Sequence, residues 1–208
     1  YTDALLLGMG GSSLAPEVFR KIFGVAEGYL DLAVLDSTDP GAVLGYDKVL
    51  DLGQTLFIVA SKSGSTAETL SFFKYFYNRV ADELGDEEAG DHFVAITDPG
   101  SRLLDIADRL GFRTVFENDP SLGGRYSALS YFGLVPAALV GVNLGLLLDR
   151  AIEYLHRCPD CSTAGSDAAA QLGAAMGELT KLGRDKLTLI TSPSLVSFGD
   201  WVEQLVAE

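Results

Sequence analysis

Five hydroxyl side chains fall within nine positions, at Ser61, Ser63, Ser65, Thr66 and Thr69, with Lys62 and Gly64 among them. That density of small donors suits an anion. Hydroxyls donate without bulk, an ammonium adds charge, and a glycine lets backbone N–H groups turn inward. One Ser or Thr would satisfy a helix N-cap, so capping alone does not account for five. The flanking residues supply the geometry. Leu56–Ala60 is an apolar run that reads as a buried strand, and Leu70–Tyr77 opens a helical pattern. Strand, hydroxyl-rich turn and helix start would aim free N–H groups and the positive end of the helix dipole at a phosphate ester.

A second turn, Gly8-Met-Gly-Gly-Ser-Ser13, follows another apolar run. It lacks the G-x-G-x-x-G spacing of a dinucleotide turn, and no Gly-Lys-Ser/Thr follows as in a Walker loop. Beside a serine-rich turn it suits a sugar phosphate: glycines let backbone approach the sugar while serines hold the phosphate.

The elements that must position these turns recur along the chain. Candidate strands are Ala4–Gly8, Leu32–Asp36, Leu56–Ala60, His92–Thr97, Arg113–Phe116 and, much later, Lys186–Thr191. Helical patterns run over 15–23, 67–84 and 101–110. The strand runs are continuously apolar, as in strands covered on both faces. The alternation specifies an α/β fold, a doubly wound parallel sheet flanked by helices in a Rossmann-like three-layer sandwich. Ligands of such sheets collect at the carboxyl ends of the strands. Those ends are Gly8–Ser13, Asp36–Asp39, Ser61–Thr66 and Thr97–Gly100. Residues 127–182 read as two or three helices with a loop near Cys158–Ser166. The β pattern then restarts and a helix over Phe198–Glu208 follows. Residues 1–182 are therefore expected to form a first domain with trailing helices, and 183–208 to open a second.

With 208 residues, 48% of them apolar, the chain can bury the core of an α/β domain. Its net charge of −14 weighs against a nucleic-acid partner, because binding a phosphate backbone needs a basic surface. A small phosphorylated ligand needs only a local patch of donors. No apolar run approaches the roughly 20 residues of a membrane span, so no membrane partner is expected. The start Tyr1-Thr-Asp is no signal peptide and suggests a piece of a longer, cytoplasmic chain. Cys158 and Cys161 have only His156 nearby, short of a zinc ligand set. They read as two thiols in a reducing compartment.

Gly8-Met-Gly-Gly-Ser-Ser-Leu14, Ser61-Lys-Ser-Gly-Ser-Thr66 and Gly123-Gly-Arg-Tyr-Ser127 together resemble glucose-6-phosphate isomerase, whose two domains have the sugar-isomerase (SIS) fold. Ser13-Leu-Ala-Pro-Glu17, Leu35-Asp-Ser-Thr-Asp-Pro40 and Asp200-Trp-Val-Glu-Gln-Leu205 are most similar to the isomerase part of bacterial transaldolase–isomerase fusions. The resemblance implies that Ser61, Lys62, Ser63 and Thr66 contact the phosphate, and that Gly11 and Ser12 approach the sugar. It implies further that Arg125 lies near the reacting carbons, with Gln204 at the substrate and Glu208 as the base.

The implied reaction interconverts glucose 6-phosphate and fructose 6-phosphate through an enediolate, in glycolysis and gluconeogenesis. It runs in a homodimer with no metal or organic cofactor. A carboxylate can carry the proton between C2 and C1, and a guanidinium can stabilise the charge that develops on the enediolate oxygen. The family's ring-opening histidine and lysine match neither His92 nor His156. They are expected beyond Glu208, which would leave this piece weak or inactive alone. A non-catalytic SIS sugar-phosphate module and another phosphosugar isomerase are the alternatives. A sensor would not require Arg125 and Glu208, and Gly123–Ser127 favours the glucose phosphate branch.

Overall fold

The apolar runs pair into one parallel sheet. In the structure, a computed structural model that describes residues 1–157 and 168–207, its strands are β1 (Asp3–Gly8), β2 (Asp31–Leu35), β3 (Thr55–Ala60), β4 (Phe93–Thr97) and β5 (Thr114–Glu117). Their spatial order is β2-β1-β3-β4-β5. Leu5 stands beside Ala33 on one side and Phe57 on the other, and Val59 beside Ala95. The central strands β1 and β3 are buried almost throughout, while edge strand β5 is half exposed. This is the doubly wound α/β class that the sequence implies.

The order explains which helices cover which face. From β1 the chain crosses to β2 through α1 (Leu14–Phe23), then turns back past β1 to β3. Right-handed crossovers in opposite directions put the connecting helices on opposite faces. Because successive side chains of a strand point to opposite faces, each face gathers its own core. Leu5, Leu7, Phe57, Val59, Phe93 and Ala95 pack on the side of α2 (Pro40–Val49), α3 (Ala67–Leu84) and α5 (Arg102–Arg109). Ala4, Leu6, Ile58, Val94 and Ile96 pack with Phe132 of α6 (Tyr131–Leu139), which α1 adjoins. Phe57 stacks on Phe93 with centroids 4.9 Å apart, at the middle of an aromatic group that includes Phe73 and Phe76.

Helix α2 is an element that the hydrophobic pattern did not reveal. Gly41 and Gly45 interrupt it and none of its residues is fully buried. Its start is set locally: Asp39 accepts from the N–H groups of Gly41 and Ala42, and Pro40 supplies a preset φ in the first turn. A four-residue turn, α4 (Asp86–Ala89), leads from α3 towards β4.

By their contacts, Tyr1–Val142 and Pro193–Glu208 form one compact unit, and Asn143–Ser192 a second. The second contains α7 (Leu144–Arg157) and α8 (Ala168–Lys181). The expected strand at Lys186–Thr191 is not formed, because a strand exists by pairing and none of the described residues offers it a neighbour. In the first unit, α9 (Phe198–Ala207) packs against α1. The loop expected near Cys158–Ser166, with Cys158 and Cys161, lies outside the described residues. No helix among those described is long and apolar enough to cross a membrane.

Candidate functional site

Reversal of direction between β1 and β3 leaves a crevice beyond their carboxyl ends, where ligands of open parallel sheets bind. Both turns singled out by their chemistry are at that crevice. After β1 the chain makes a 3-10 turn, Gly10–Ser12, and after β3 it makes the hydroxyl-rich turn Ser61–Thr66. Together with Met9, Asp98 and Gly124, the residues Gly11, Ser12, Lys62, Ser63 and Thr66 line a cleft of about 320 Å³.

The start of α3 is built to receive something. Asp39, Ser101 and Ser130 cap α2, α5 and α6 with side-chain oxygens. Thr66, the N-cap of α3, makes no such bond. Its hydroxyl is instead 3.0 Å from that of Ser61. The first N–H groups of α3 thus lack a side-chain acceptor at the end where the dipole is positive. Gly64 makes the turn possible. It has φ +65°, and a Cβ there would stand 2.7 Å from the backbone N of Leu103 and 2.8 Å from the Ser101 Cβ.

Ser61 differs from the other hydroxyls. It is 2% exposed and does not line the cleft. Its N–H donates to the Ile96 carbonyl, and the Ser61 carbonyl accepts from Thr97 Oγ1 at 2.7 Å. It anchors the turn from beneath. Ser63, by contrast, is exposed and pairs with Ser65 at 2.9 Å.

Lys62 Nζ donates to Asp98 Oδ2 at 2.5 Å and to the Pro120 carbonyl at 2.9 Å. Sequence reasoning placed Asp98 at a strand end without giving it a role. No signal in the sequence paired it with Lys62; the register of β4 beside β3 does so. The other Asp98 oxygen, Oδ1, is buried without a hydrogen-bond partner. Asp119 faces the same lysine. The Ser121 hydroxyl and N–H hold its carboxyl below the usual carboxylate range, and the charge of Lys62 acts in the same direction.

The opposite wall is assembled over a long stretch of sequence. A Cβ on Gly11 would stand 2.3 Å from the carbonyl oxygen of Gly124, so the two backbones meet where only glycine fits. Ser127 Oγ links both strands of chain, at 2.9 Å from the Gly11 carbonyl and 2.6 Å from that of Gly124. Arg125 follows Gly124 on a 3-10 turn, Gly124–Leu129, with its guanidinium 5.0 Å from the centre of the Tyr126 ring. From α9, the Gln204 amide lies against Gly10, with Nε2 3.1 Å from where a Cβ would be, and its buried Oε1 lacks a partner. Glu208 lies outside the described residues. His92 sits at the amino end of β4, away from the cleft, with Nδ1 3.2 Å from the Thr55 carbonyl. The described residues contain no His, Cys, Asp or Glu group arranged to hold a metal ion.

The model of the phosphoglucose isomerase family matches residues 1–152, which carry every cleft-lining residue. The chain belongs to that family. A glucose-6-phosphate isomerase of a Cyanothece strain is 35% identical over 215 residues, covering all of this chain and 40% of that protein. The one from Rubrobacter xylanophilus is 33% identical over 218 residues, covering all of this chain and 50% of that protein. Among solved structures, a hypothetical protein of Thermus thermophilus superposes with a TM-score of 0.82 at 33% identity, over 98% of this chain and 48% of that one. A glucose-6-phosphate isomerase from Chlamydia trachomatis gives 0.69 at 26% identity, over 98% of this chain and 39% of that one. The chain thus spans about 40% of the length of the curated relatives it matches first.

Proposed function

We propose that this chain supplies the phosphate-holding domain of a glucose-6-phosphate isomerase. The observation that carries the proposal is the cleft at the β1/β3 crevice, where the uncapped start of α3, Ser63, Thr66 and Lys62 face the Gly11–Ser12 turn. In this reading the α3 N–H groups and the hydroxyls hold the phosphate, Lys62 donates a further hydrogen bond, and Ser61 keeps the turn in shape. The sugar extends towards Gly11, Ser12 and Gly124. Arg125 stabilises the enediolate oxygen, Gln204 positions the substrate with its unpartnered Oε1, and Glu208 carries the proton between C2 and C1. The relatives named glucose-6-phosphate isomerase support the choice of reaction.

The same reading makes the working enzyme a cytoplasmic homodimer of a longer chain, fused to a transaldolase and serving glycolysis and gluconeogenesis. It needs no cofactor, and its ring-opening groups lie beyond residue 208. Residues 1–182 would be the first sugar-phosphate domain and 183–208 the opening of a second, whose helix α9 packs back on the first unit. The 94% exposed Ile190, inside an apolar run, supports a strand that pairs with further chain.

Calorimetric titration of the chain with 6-phosphogluconate, against gluconate as control, tests the cleft. Phosphate-dependent binding that Lys62→Ala weakens at least tenfold is expected. Equal affinity for the two ligands would refute it. In the longer enzyme Glu208→Gln should abolish proton exchange at C2 while binding persists, and undiminished exchange would remove Glu208 as the base.

A further inference from the structure

The cleft is poor in positive charge for a site that holds an anion. Of the described residues that line it, Lys62 alone is a cation, and it is matched by Asp98 at 2.5 Å. Asp119 adds a second carboxylate within electrostatic reach of the same ammonium, and Glu68 stands in the first turn of α3. The immediate surroundings of Lys62 are therefore at best neutral, in a chain whose net charge is −14. Two of the three donors of the ammonium are already engaged, by Asp98 and by the Pro120 carbonyl, which leaves one for a ligand.

We propose that Asp98 sets the charge of this cleft, confining it to ligands with a single phosphoryl group held mainly by neutral donors. The inference rests on the phosphate-holding role proposed above. A phosphate oxygen bonded to Lys62 would lie about 4.5 Å from Asp98 Oδ2, because two acceptors on one ammonium subtend roughly a tetrahedral angle, which puts the centres of the phosphoryl and carboxylate charges about 5–6 Å apart. At that separation in a watery cleft, each negative charge on the ligand is opposed by about threefold in affinity. A phosphate dianion is opposed about tenfold, and a diphosphate several times more. Backbone N–H groups and hydroxyls act over one hydrogen bond, so they reward a phosphoryl group that fits and gain little from further charge beyond it. Asp98 is a specificity-determining residue in this scheme. It cancels the long-range pull of the lysine and leaves its donor in place.

Asp98→Asn isolates the charge, because the amide oxygen still accepts from Lys62 and the shape is unchanged. Affinities for inorganic phosphate and for pyrophosphate are measured by displacement of 6-phosphogluconate, at 50 mM and 500 mM salt. The variant should bind phosphate about three- to tenfold more tightly than the wild type at low salt, and pyrophosphate by a larger factor. Both gains should shrink at high salt, because the cleft opens to solvent and its charges are partly screened. No gain, an equal gain for both anions, or a gain indifferent to salt would overturn the proposal. The wild-type chain provides a test needing no variant: it should hold pyrophosphate no more tightly than phosphate, and a tenfold preference for pyrophosphate refutes the idea. A chain that shows no phosphate-dependent binding at all overturns the phosphate site and this inference together. One that binds both anions but is unmoved by Asp98→Asn overturns the inference alone.

Discussion

Replacing Gly11 with alanine adds one methyl group at the point where two distant loops touch. That Cβ would stand 2.3 Å from the Gly124 oxygen, 2.6 Å from its carbonyl carbon and 2.9 Å from its Cα. All three are backbone atoms, so no side chain can swing aside and the loops must part by about 1 Å to reach ordinary contact distance. Overpacking of this kind costs about 1–3 kcal/mol. Parting the loops also stretches the Ser127 hydroxyl between its two carbonyls, and losing one of those bonds adds about 1 kcal/mol. The total, about 2–4 kcal/mol, is a large share of the roughly 5–15 kcal/mol that stabilises a domain.

Gly45→Ala is the matched control. Gly45 lies inside α2 with nothing within 4 Å of an added Cβ, so the same methyl should stabilise by about 0.5–1 kcal/mol through helix propensity. Urea unfolding followed by circular dichroism reads both changes, and 6-phosphogluconate titration reads the cleft. Gly11→Ala should lose stability and at least tenfold in affinity, while Gly45→Ala keeps its affinity. A Gly11→Ala chain within about 0.5 kcal/mol of wild type that binds normally would refute the close approach of the two loops.

Two further outcomes follow from the packing and the charges. Phe93 is fully buried among Phe57, Phe73, Tyr77 and Phe112, so Phe93→Ala should lower the unfolding free energy by about 3–5 kcal/mol. A loss below about 1 kcal/mol would mean that the aromatic group is not a packed core. Burial alone would raise the carboxyl of Glu17 on α1, but bonds to Arg20 and Lys21 outweigh it and hold the group below its usual 4.5. A lowered folded pKa stabilises above the unfolded value, and the gain is lost as pH falls through the folded one. Glu17→Gln should therefore cost about 0.5 kcal/mol at pH 7, the scale of partly exposed pairs on one helix. That difference should vanish once the pH is well below 4.5; a gap that persists in acid would show a cause other than the carboxylate charge.

Much of this protein is local and was legible in the residues. The continuous apolar runs of β1, β3 and β4 and the strong amphipathic pattern of α3 state their own structure, because period and burial are set within a few neighbouring positions. Asp39-Pro40 carried the signal for α2, but its two glycines and its half-exposed faces blurred the pattern. The hydroxyl-rich turn pointed to an anion site through composition, since donors that dense exceed what a cap requires.

What the chain could not show by itself is which loops meet. Lys62 and Asp98 are 36 residues apart, and Ser127 reaches back 116 residues to Gly11. Those pairings follow from the β2-β1-β3-β4-β5 order, which brings the ends of β1, β3 and β4 side by side. Ser61 shows the same division within a single turn. Its type promised a donor to a ligand, yet the tertiary structure turns it inward, where its hydroxyl pairs with that of Thr66. Residue types and spacing declare the chemistry a segment can perform. Only packing between distant segments decides which of those groups face the cleft and which hold it together, because a side chain's partners are set by non-local sheet order rather than by its neighbours in sequence.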